Sequence, residues 1–198
     1  MSQIKLKHSG GNSVIIAAPD SNPASDRTLK LPSDGDGTIL TTNSATGKIL
    51  QVIQTVKTDT SSYLSVAHTA FTADVMTATI TPSSSSNKIL VSCVICFQVS
   101  TTDAGFKLNR DGTDICIGNS SGSRRPVTIA ATQSSSNEMF NLFAEFLDSP
   151  NTTSATTYGV KLTHGSSGSA DIFVNQMNEA NDDRIMRPTS MITLKEVA

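Results

Sequence analysis

The run Lys88-Ile-Leu-Val-Ser-Cys-Val-Ile-Cys-Phe-Gln-Val-Ser100 is the most apolar stretch of the chain and decides its fold. Its odd-numbered positions, from Ile89 to Val99, are all apolar, whereas its even-numbered positions mix apolar with polar residues. This alternation, in a run rich in β-branched residues, predicts a strand with one face in a core and the other partly covered. At about a dozen residues the run is too short to cross a bilayer as a helix. We therefore expect a central β-strand here.

The composition favours a β-protein with many polar turns. Of the 198 residues only 37% are hydrophobic and 16% charged, and the net charge is −2. Both percentages are below the usual globular share. No basic stripe is present that could neutralise phosphates, so we do not expect a nucleic-acid partner. The pair Arg124-Arg125 stands alone, and we expect it in a solvated loop.

Short alternating runs separated by polar turns continue from residue 49 to the end of the chain. Asp111-Gly112 between two such runs is a strong hairpin signal. Residues 138–147 also fit a helical face, but their aromatic content favours a strand. The pattern predicts an antiparallel, jelly-roll-like β-sandwich over residues 49–198, the head domain. Besides the central run, the predicted strands are Lys48–Thr58, Tyr63–His68, Val75–Thr81, Phe106–Asn109, Thr113–Ile117, Pro126–Thr132, Glu138–Leu147, Thr156–Thr163, Ile172–Met177 and Met191–Val197.

Residues 1–48 differ from the head and form a separate region of short β-like pieces. Each piece has too few apolar side chains to offset its own ordering entropy, so we expect other chains to order it. This region is predicted to be an extended arm or stalk. Met1–His8 lacks the apolar segment of a secretory signal, so we do not expect general secretion. The predicted strands are Gln3–Lys7, Ser13–Ala18, Thr28–Leu31 and Thr38–Thr42.

No catalytic, cofactor or metal site is predicted, and we do not expect an enzyme. Cys93 and Cys96 lie three apart on a strand, facing opposite ways, which argues against zinc even with a histidine nearby. With Cys116 they are expected to be buried, reduced thiols. The acidic pairs Asp111/Asp114 and Asp182/Asp183 fall in turns, where Asp bonds the local backbone. Asp34-Gly-Asp-Gly37 is likewise read as a turn, since it lacks most of a calcium loop.

Several stretches resemble virion fibre proteins of tailed bacteriophages, notably tail fibres of phages of marine bacteria and cyanobacteria. The resemblance in the arm is carried by Val14–Thr42, and within it by Leu29-Lys-Leu-Pro-Ser-Asp-Gly-Asp-Gly-Thr-Ile-Leu40. Three pieces of the head are similar to the same group: Ile80-Thr-Pro-Ser-Ser-Ser-Ser-Asn-Lys-Ile-Leu90, Phe146-Leu-Asp-Ser-Pro-Asn-Thr-Thr-Ser-Ala-Thr-Thr-Tyr158 and Ile192-Thr-Leu-Lys-Glu-Val197.

The resemblance implies a trimeric structural virion protein, assembled in the host cytoplasm and not inserted in a membrane. Residues 1–48 would attach to a tail, baseplate or capsid protein. The head would face outward and contact a host-surface glycan or lipopolysaccharide. Because loop tips carry function more often than sheet faces, the loops Asn119–Arg125 and Gly165–Ser169 are the candidate contact regions.

Other functions remain open at this point. The chain could be a capsid- or neck-attached fibre or decoration protein without a receptor role. From other classes, it could be a lectin-like or tumour-necrosis-factor-like binding module, or an enzyme acting on polysaccharides.

Overall fold

The computed structural model describes residues 3–7, 9–11, 13–17, 48–178 and 186–198. These residues form strands and no helix, so no helix among them could cross a membrane. Two compact units are present, Met1–Ala45 and Thr46–Ala198. The strands are β1 (Gln3–Lys7), β2 (Ser13–Ala17), β3 (Ile49–Lys57), β4 (Ser61–Val66), β5 (Met76–Ile80), β6 (Lys88–Val99), β7 (Asp103–Arg110), β8 (Thr113–Ile115), β9 (Ile129–Thr132), β10 (Phe140–Asp148), β11 (Thr156–His164), β12 (Ala170–Val174) and β13 (Ser190–Val197).

In the first unit, β1 and β2 pair antiparallel, from Gln3 opposite Ala17 to Lys7 opposite Ser13. Gly11, in the turn between them, has a φ of +99°, a conformation that favours glycine. The two strands confirm the predictions for this part of the arm. The strands predicted at 28–31 and 38–42 lie outside the described residues.

The second unit is a sandwich of two antiparallel sheets, as the sequence predicts. The first sheet contains β3, β13, β6, β12 and β4 in that order, and β10 pairs with the free edge of β6. The second sheet contains β5, β11, β7 and β8, with β9 also paired to β7. From β4 to β7 and again from β9 to β12, successive strands alternate between the two sheets. This alternation gives the sandwich its jelly-roll-like character.

Strand β6 is the centre of the first sheet, and both its edges are paired. One edge lies against β10, from Phe97 opposite Phe140 to Ile89 opposite Asp148. Two strands placed end to end cover the other edge: β13 pairs with residues 88–94 and β12 with residues 97–99. All odd-numbered residues of β6 are at most 1% exposed, which confirms the predicted core face.

The core lies between the two sheets. Phe106, Leu108 and Leu162 of the second sheet are fully buried against the odd-numbered residues of β6 and the even-numbered residues of β13. The rings of Phe97 and Phe140 stack with their centroids 5.4 Å apart. Each fully buried side chain of this size stabilises the sandwich by about 1.5–3 kcal/mol relative to exposure.

A polar cluster joins the two sheets at one end of the sandwich. Arg110 of β7 donates from Nη1 to both carboxylate oxygens of Asp148 on β10, at 2.9 and 2.7 Å. Tyr158 of β11 donates its hydroxyl to the same carboxylate at 2.7 Å. Burial, and then the Asp148 contact, raise the pKa of Tyr158, so it remains a hydrogen-bond donor. Each of these bonds crosses from the second sheet to the first.

Asn175 directly follows β12 and lies where the partner of β6 changes from β12 to β13. Its backbone N–H donates to Cys96 O of β6 at 2.9 Å. Its side-chain Nδ2 donates to Lys57 O and Asp59 O, at 2.8 and 3.0 Å. Its Oδ1 accepts from Ser190 Oγ at 2.6 Å, and that hydroxyl accepts from Cys96 N at 2.9 Å. Asn175 has a φ of +56°, which asparagine tolerates better than most residues.

Glu196 is a fully buried carboxylate on the core-facing side of β13. It accepts hydrogen bonds from Gln51 Nε2 at 2.6 Å, from Ser83 N and Oγ at 2.7 Å each, and from Asn87 Nδ2 at 2.7 Å. Desolvation raises the pKa of Glu196, but the bonds from Asn87, Ser83 and Gln51 together outweigh it and lower the pKa to about 2. The group therefore stays ionised while buried.

Two further sequence predictions are confirmed. Asp111 and Gly112 join β7 to β8 with φ values of +48° and +83°, as a type I′ hairpin turn requires. Residues 140–148 form β10, a strand and not a helix, with Phe140 and Ala144 facing the core.

The prediction of three buried cysteines is wrong for one of them. Cys93 and Cys96 are buried, but Cys116 is exposed, and all three are free thiols. Strand β8 ends at Ile115, two residues before the predicted end, and Cys116 turns the chain out of the sheet with a φ of +52°. Alternation in the sequence does not reveal where a short edge strand ends.

We expect Asn175→Ala to lower the free energy of unfolding by about 2–3 kcal/mol. The variant leaves two backbone carbonyls without a donor and the Ser190 hydroxyl without an acceptor for its proton, and alanine is strained at a positive φ. The measurement is urea denaturation of the full chain. Asn141→Ala, on the exposed face of β10, is the control and should change the stability by less than about 0.5 kcal/mol. Equal effects of the two variants would contradict the role of Asn175.

We expect Glu196 to make the stability depend on pH in the acid range. Because its folded pKa of about 2 lies below the ordinary 4.5, its contribution is complete above pH 4.5 and is lost as the pH falls towards 2. Glu196→Gln should cost about 1–3 kcal/mol at neutral pH and flatten this dependence. Thermal unfolding of both proteins at several pH values tests this. Parallel curves for the two proteins below pH 4.5 would show that another group is responsible.

Candidate ligand cleft

The two loops that the sequence singled out line one cleft in the second unit. The cleft has a volume of about 330 Å³. The loop Asn119–Arg125 contributes its last three residues, and Gly165–Ser169 contributes Gly165. The remaining walls come from β7, β9, β11 and two neighbouring residues, and include His68, Asp103, Ala104, Gly105, Val127, Ala130, Ala131, Thr132, Thr163 and His164.

Two strands pack closely beside Gly165, one of the residues that line the cleft. Its N–H donates to Asp103 O at 2.8 Å, which joins the end of β11 to the start of β7. A Cβ on Gly165 would lie 2.4 Å from the Cβ of Asp103, closer than two carbon atoms can approach. A side chain at this position would therefore force the end of β11 and the start of β7 apart.

Arg125 anchors the loop to the sandwich. Its Nη1 donates to Thr163 Oγ1 and its Nη2 donates to His164 O, both on β11. The guanidinium also lies 6.0 Å from the ring centroid of Phe71, within cation–π range. Desolvation lowers its pKa, yet arginine remains charged at any physiological pH. The expectation that Arg125 lies in a solvated loop is therefore wrong. The sequence could not reveal these contacts, since both acceptors are distant in sequence and only the fold brings them near.

Arg124 presents a cation at the cleft. A tight turn places it there: the N–H of Arg124 donates to Ser121 O at 3.1 Å, and Gly122 has a φ of +58°. The side chain is exposed and has no hydrogen bond or ion pair within the part of the chain that the structure describes. A guanidinium of this kind suits a carboxylate or phosphate, which it can bind with two parallel hydrogen bonds.

Both histidines at the cleft are bonded to backbone carbonyls. His68 donates from Nδ1 to Ser166 O. His164 is buried and donates from Nε2 to Val66 O at 2.8 Å, and its Nδ1 has no hydrogen-bond partner among the described residues. These two bonds link the end of β4 and the residues just after it to the end of β11 and the residues just after it.

No metal site is seen at the described positions. They contain no cluster of three or more His, Cys, Asp or Glu side chains able to hold a metal. Cys93 and Cys96 lie on β6, in the first sheet, and not among the residues of the cleft. Burial raises the pKa of Cys93 to about 12, which keeps it a thiol.

The acidic pairs considered in the sequence have structural roles where they are described. Asp111 accepts from Thr157 N at 2.8 Å, and Asp114 pairs with Lys107 at 2.5 Å. The first bond ties the β7–β8 turn to β11, and the second joins the two strands of the hairpin to each other. Residues 182–183 and the acidic turn at 34–37 lie outside the described residues.

The cleft combines an excess of positive charge with an apolar wall. Its single carboxylate, Asp103, already accepts hydrogen bonds from Thr132 Oγ1 at 2.7 Å and Thr102 Oγ1 at 3.2 Å. Val127 and the outward Ala130 of β9 supply the apolar surface, whereas the side chain of Ala131 packs against the core. The arrangement suits a small polar ligand with one negative group and one apolar face.

Comparison with known proteins gives no family for this chain. No family model matches it, and no curated protein matches it in sequence. A chain in the solved structure of infectious bursal disease virus, Gx strain, aligns with a TM-score of 0.40 and 13% identity. The alignment covers 94% of this chain and 43% of the viral chain, so this chain spans less than half the length of that protein. An alignment this weak carries no argument about fold or function, both of which rest on the strand pairing and the side chains.

We expect Arg124 and Arg125 to differ sharply in their effect on stability. Arg125→Ala removes two donors from Thr163 and His164 O and should lower the free energy of unfolding by about 1–2 kcal/mol. Arg124→Ala should change it by less than about 0.5 kcal/mol, because the side chain is exposed. Urea denaturation of both variants tests this. A loss on Arg124→Ala as large as that on Arg125→Ala would mean that Arg124 has a structural role.

Proposed function

We propose that this chain is a structural protein of a tailed-phage virion, a trimeric tail fibre whose head contacts the host cell surface. The observation that carries the proposal is the cleft where the two candidate loops meet, with the guanidinium of Arg124 unpaired at its edge. The sequence resemblance of both the arm and the head to phage fibre proteins supports the virion assignment.

The proposed ligand is a negatively charged unit of a host-surface glycan, such as an acidic sugar or phosphate of lipopolysaccharide. Arg124 would bind the negative group, and Val127 with Ala130 of β9 would pack against the apolar face of the sugar ring. The volume of about 330 Å³ is near the lower end for ligand pockets, which suits one sugar unit. A single contact of this size is weak, and three copies on one fibre would add avidity.

Residues 1–48 are proposed to attach the fibre to a tail, baseplate or capsid protein. The support is the sequence: short runs with few apolar side chains, which need neighbouring chains to satisfy their backbone groups.

The test is whether the purified full chain binds host cells and blocks phage adsorption. We expect binding to cells and to lipopolysaccharide purified from them, reduced at least tenfold by Arg124→Ala. Arg187→Ala removes an exposed arginine that does not line the cleft and should bind like the unaltered chain.

Other outcomes would overturn the proposal. If antibodies against the chain label purified particles but the protein binds neither cells nor lipopolysaccharide, the chain is a fibre or decoration protein without a receptor role. Release of reducing sugar from host polysaccharide would instead identify an enzyme. Binding to glycans without any label on particles would favour a lectin-like module.

A further inference from the structure

The outer face of the first sheet carries apolar and polar residues in alternating rows. The rows run across β10, β6, β13 and β3, and the strand registers align them side by side. We call this surface the banded face. Its first row is Phe143, Val94, Met191 and Val56; its second is Glu145, Ser92, Thr193 and Gln54; its third is Leu147, Leu90, Lys195 and Val52.

The apolar rows are open to solvent at both flanks. Phe143 and Leu147 on β10 are 57% and 47% exposed, and Val52 and Val56 on β3 are 54% and 46% exposed. Single exposed apolar residues are ordinary on a protein surface. The first and third rows together hold seven apolar side chains, with Lys195 among them, and such a concentration indicates an interaction surface.

The outer face of the second sheet shows that the fold does not require such a surface. The outward positions of its strands are polar or glycine, and they include no large apolar side chain. Both sheets pack the same core, so the difference lies in what covers their outer faces. The outward residues of β5, β11, β7 and β8 include Thr77, Thr79, Thr157, Lys161, Lys107, Asn109 and Asp114.

We infer that the banded face packs against other copies of this chain around a threefold axis that runs along the strands. Rotation about such an axis keeps every row at its own height. Apolar rows of the three copies would therefore meet one another, and polar rows would meet polar rows. The exposed flank on β10 of one copy, with Phe143, would contact the flank on β3 of the next, with Val56.

The banded face is close to electrically neutral. Its rows contain one carboxylate, Glu145, and one ammonium group, Lys195, so a second copy of the same face is not repelled by it. A strongly acidic or strongly basic partner would meet no excess of opposite charge on this face.

Groups of the second, polar row are already hydrogen-bonded to one another within the sheet. Ser92 Oγ donates to Glu145 Oε2 at 2.8 Å, and Gln54 Nε2 donates to Thr193 Oγ1 at 2.8 Å. These polar groups already have partners within the sheet, which lowers the cost of burying the row between copies.

The size of the patch suits the centre of such an interface. Four strands about 4.8 Å apart and three rows about 6.8 Å apart give a surface of roughly 400 Å². A standard interface buries about 800 Å² per partner, with an apolar centre and a polar rim. The banded face thus supplies the centre, and the surrounding residues supply the rim.

This inference specifies the surface that would hold the homotrimer of the proposed function, and it does not depend on the cleft. The test is the molar mass of the full chain by sedimentation equilibrium across the micromolar range. We expect a trimer, and we expect Val56→Asp and Phe143→Asp to weaken association at least tenfold. Thr79→Asp, on the outer face of the second sheet, is the matched control and should keep the mass of the unaltered chain. Circular dichroism confirms that each variant is folded.

A second measurement serves if the Asp variants do not fold. Ser92→Cys places a thiol in the polar row, and the exposed Cys116 of the same chain is the internal reference for maleimide labelling. We expect the introduced thiol to be protected relative to Cys116 in the assembled protein and to react on dilution. A monomeric chain, patch variants that keep the unaltered mass, or labelling as fast as that of Cys116 would overturn the inference. Trimers that fail to bind host cells would overturn only the proposed receptor role.

Discussion

The shared edge of β6 is the constraint on which the head depends. One edge of this strand pairs with β10 alone, whereas the other must be covered by two strands placed end to end. The change from β12 to β13 falls beside Cys96, where the ladder would otherwise be broken. Asn175 and Ser190 bond both backbone groups of Cys96 at this point. The β3–β4 connection is tied to the same asparagine, so β3, β6, β12 and β13 meet at this one residue.

That framework positions the cleft. β12 follows the turn at Gly165, and β11 before it supplies the two acceptors for Arg125. The loop that carries Arg124 is therefore fastened to paired strands, although its own residues form little regular structure. A cation presented by a fixed loop loses less conformational entropy on binding than one presented by a mobile loop. The same scaffold leaves the flanks of the banded face exposed on the opposite sheet.

The parts of the fold that could be predicted are those with a local signal. Period-two alternation identified β6 and β10, and Asp111-Gly112 identified the hairpin, because each pattern lies within a few neighbouring residues. The roles of Glu196 and Arg125 could not be predicted, since their partners are distant in sequence: Ser83 is 113 residues from Glu196. Glu196 even continues the core-facing alternation of β13, where a carboxylate would ordinarily argue against burial. The candidate loops were identified as tips, but only strand pairing showed that they share a cleft.

Native-state hydrogen exchange of the backbone amides tests the central claim, that the shared edge of β6 makes the head one cooperative unit. The amides of Cys96 and Asn175 should exchange only through global unfolding, with the same free energy as the amides of β6 that pair with β10. Exchange at Asn175 and along β12 through a separate opening of much lower free energy would contradict the account, because β12 would then be an independent flap and the cleft would not be fixed.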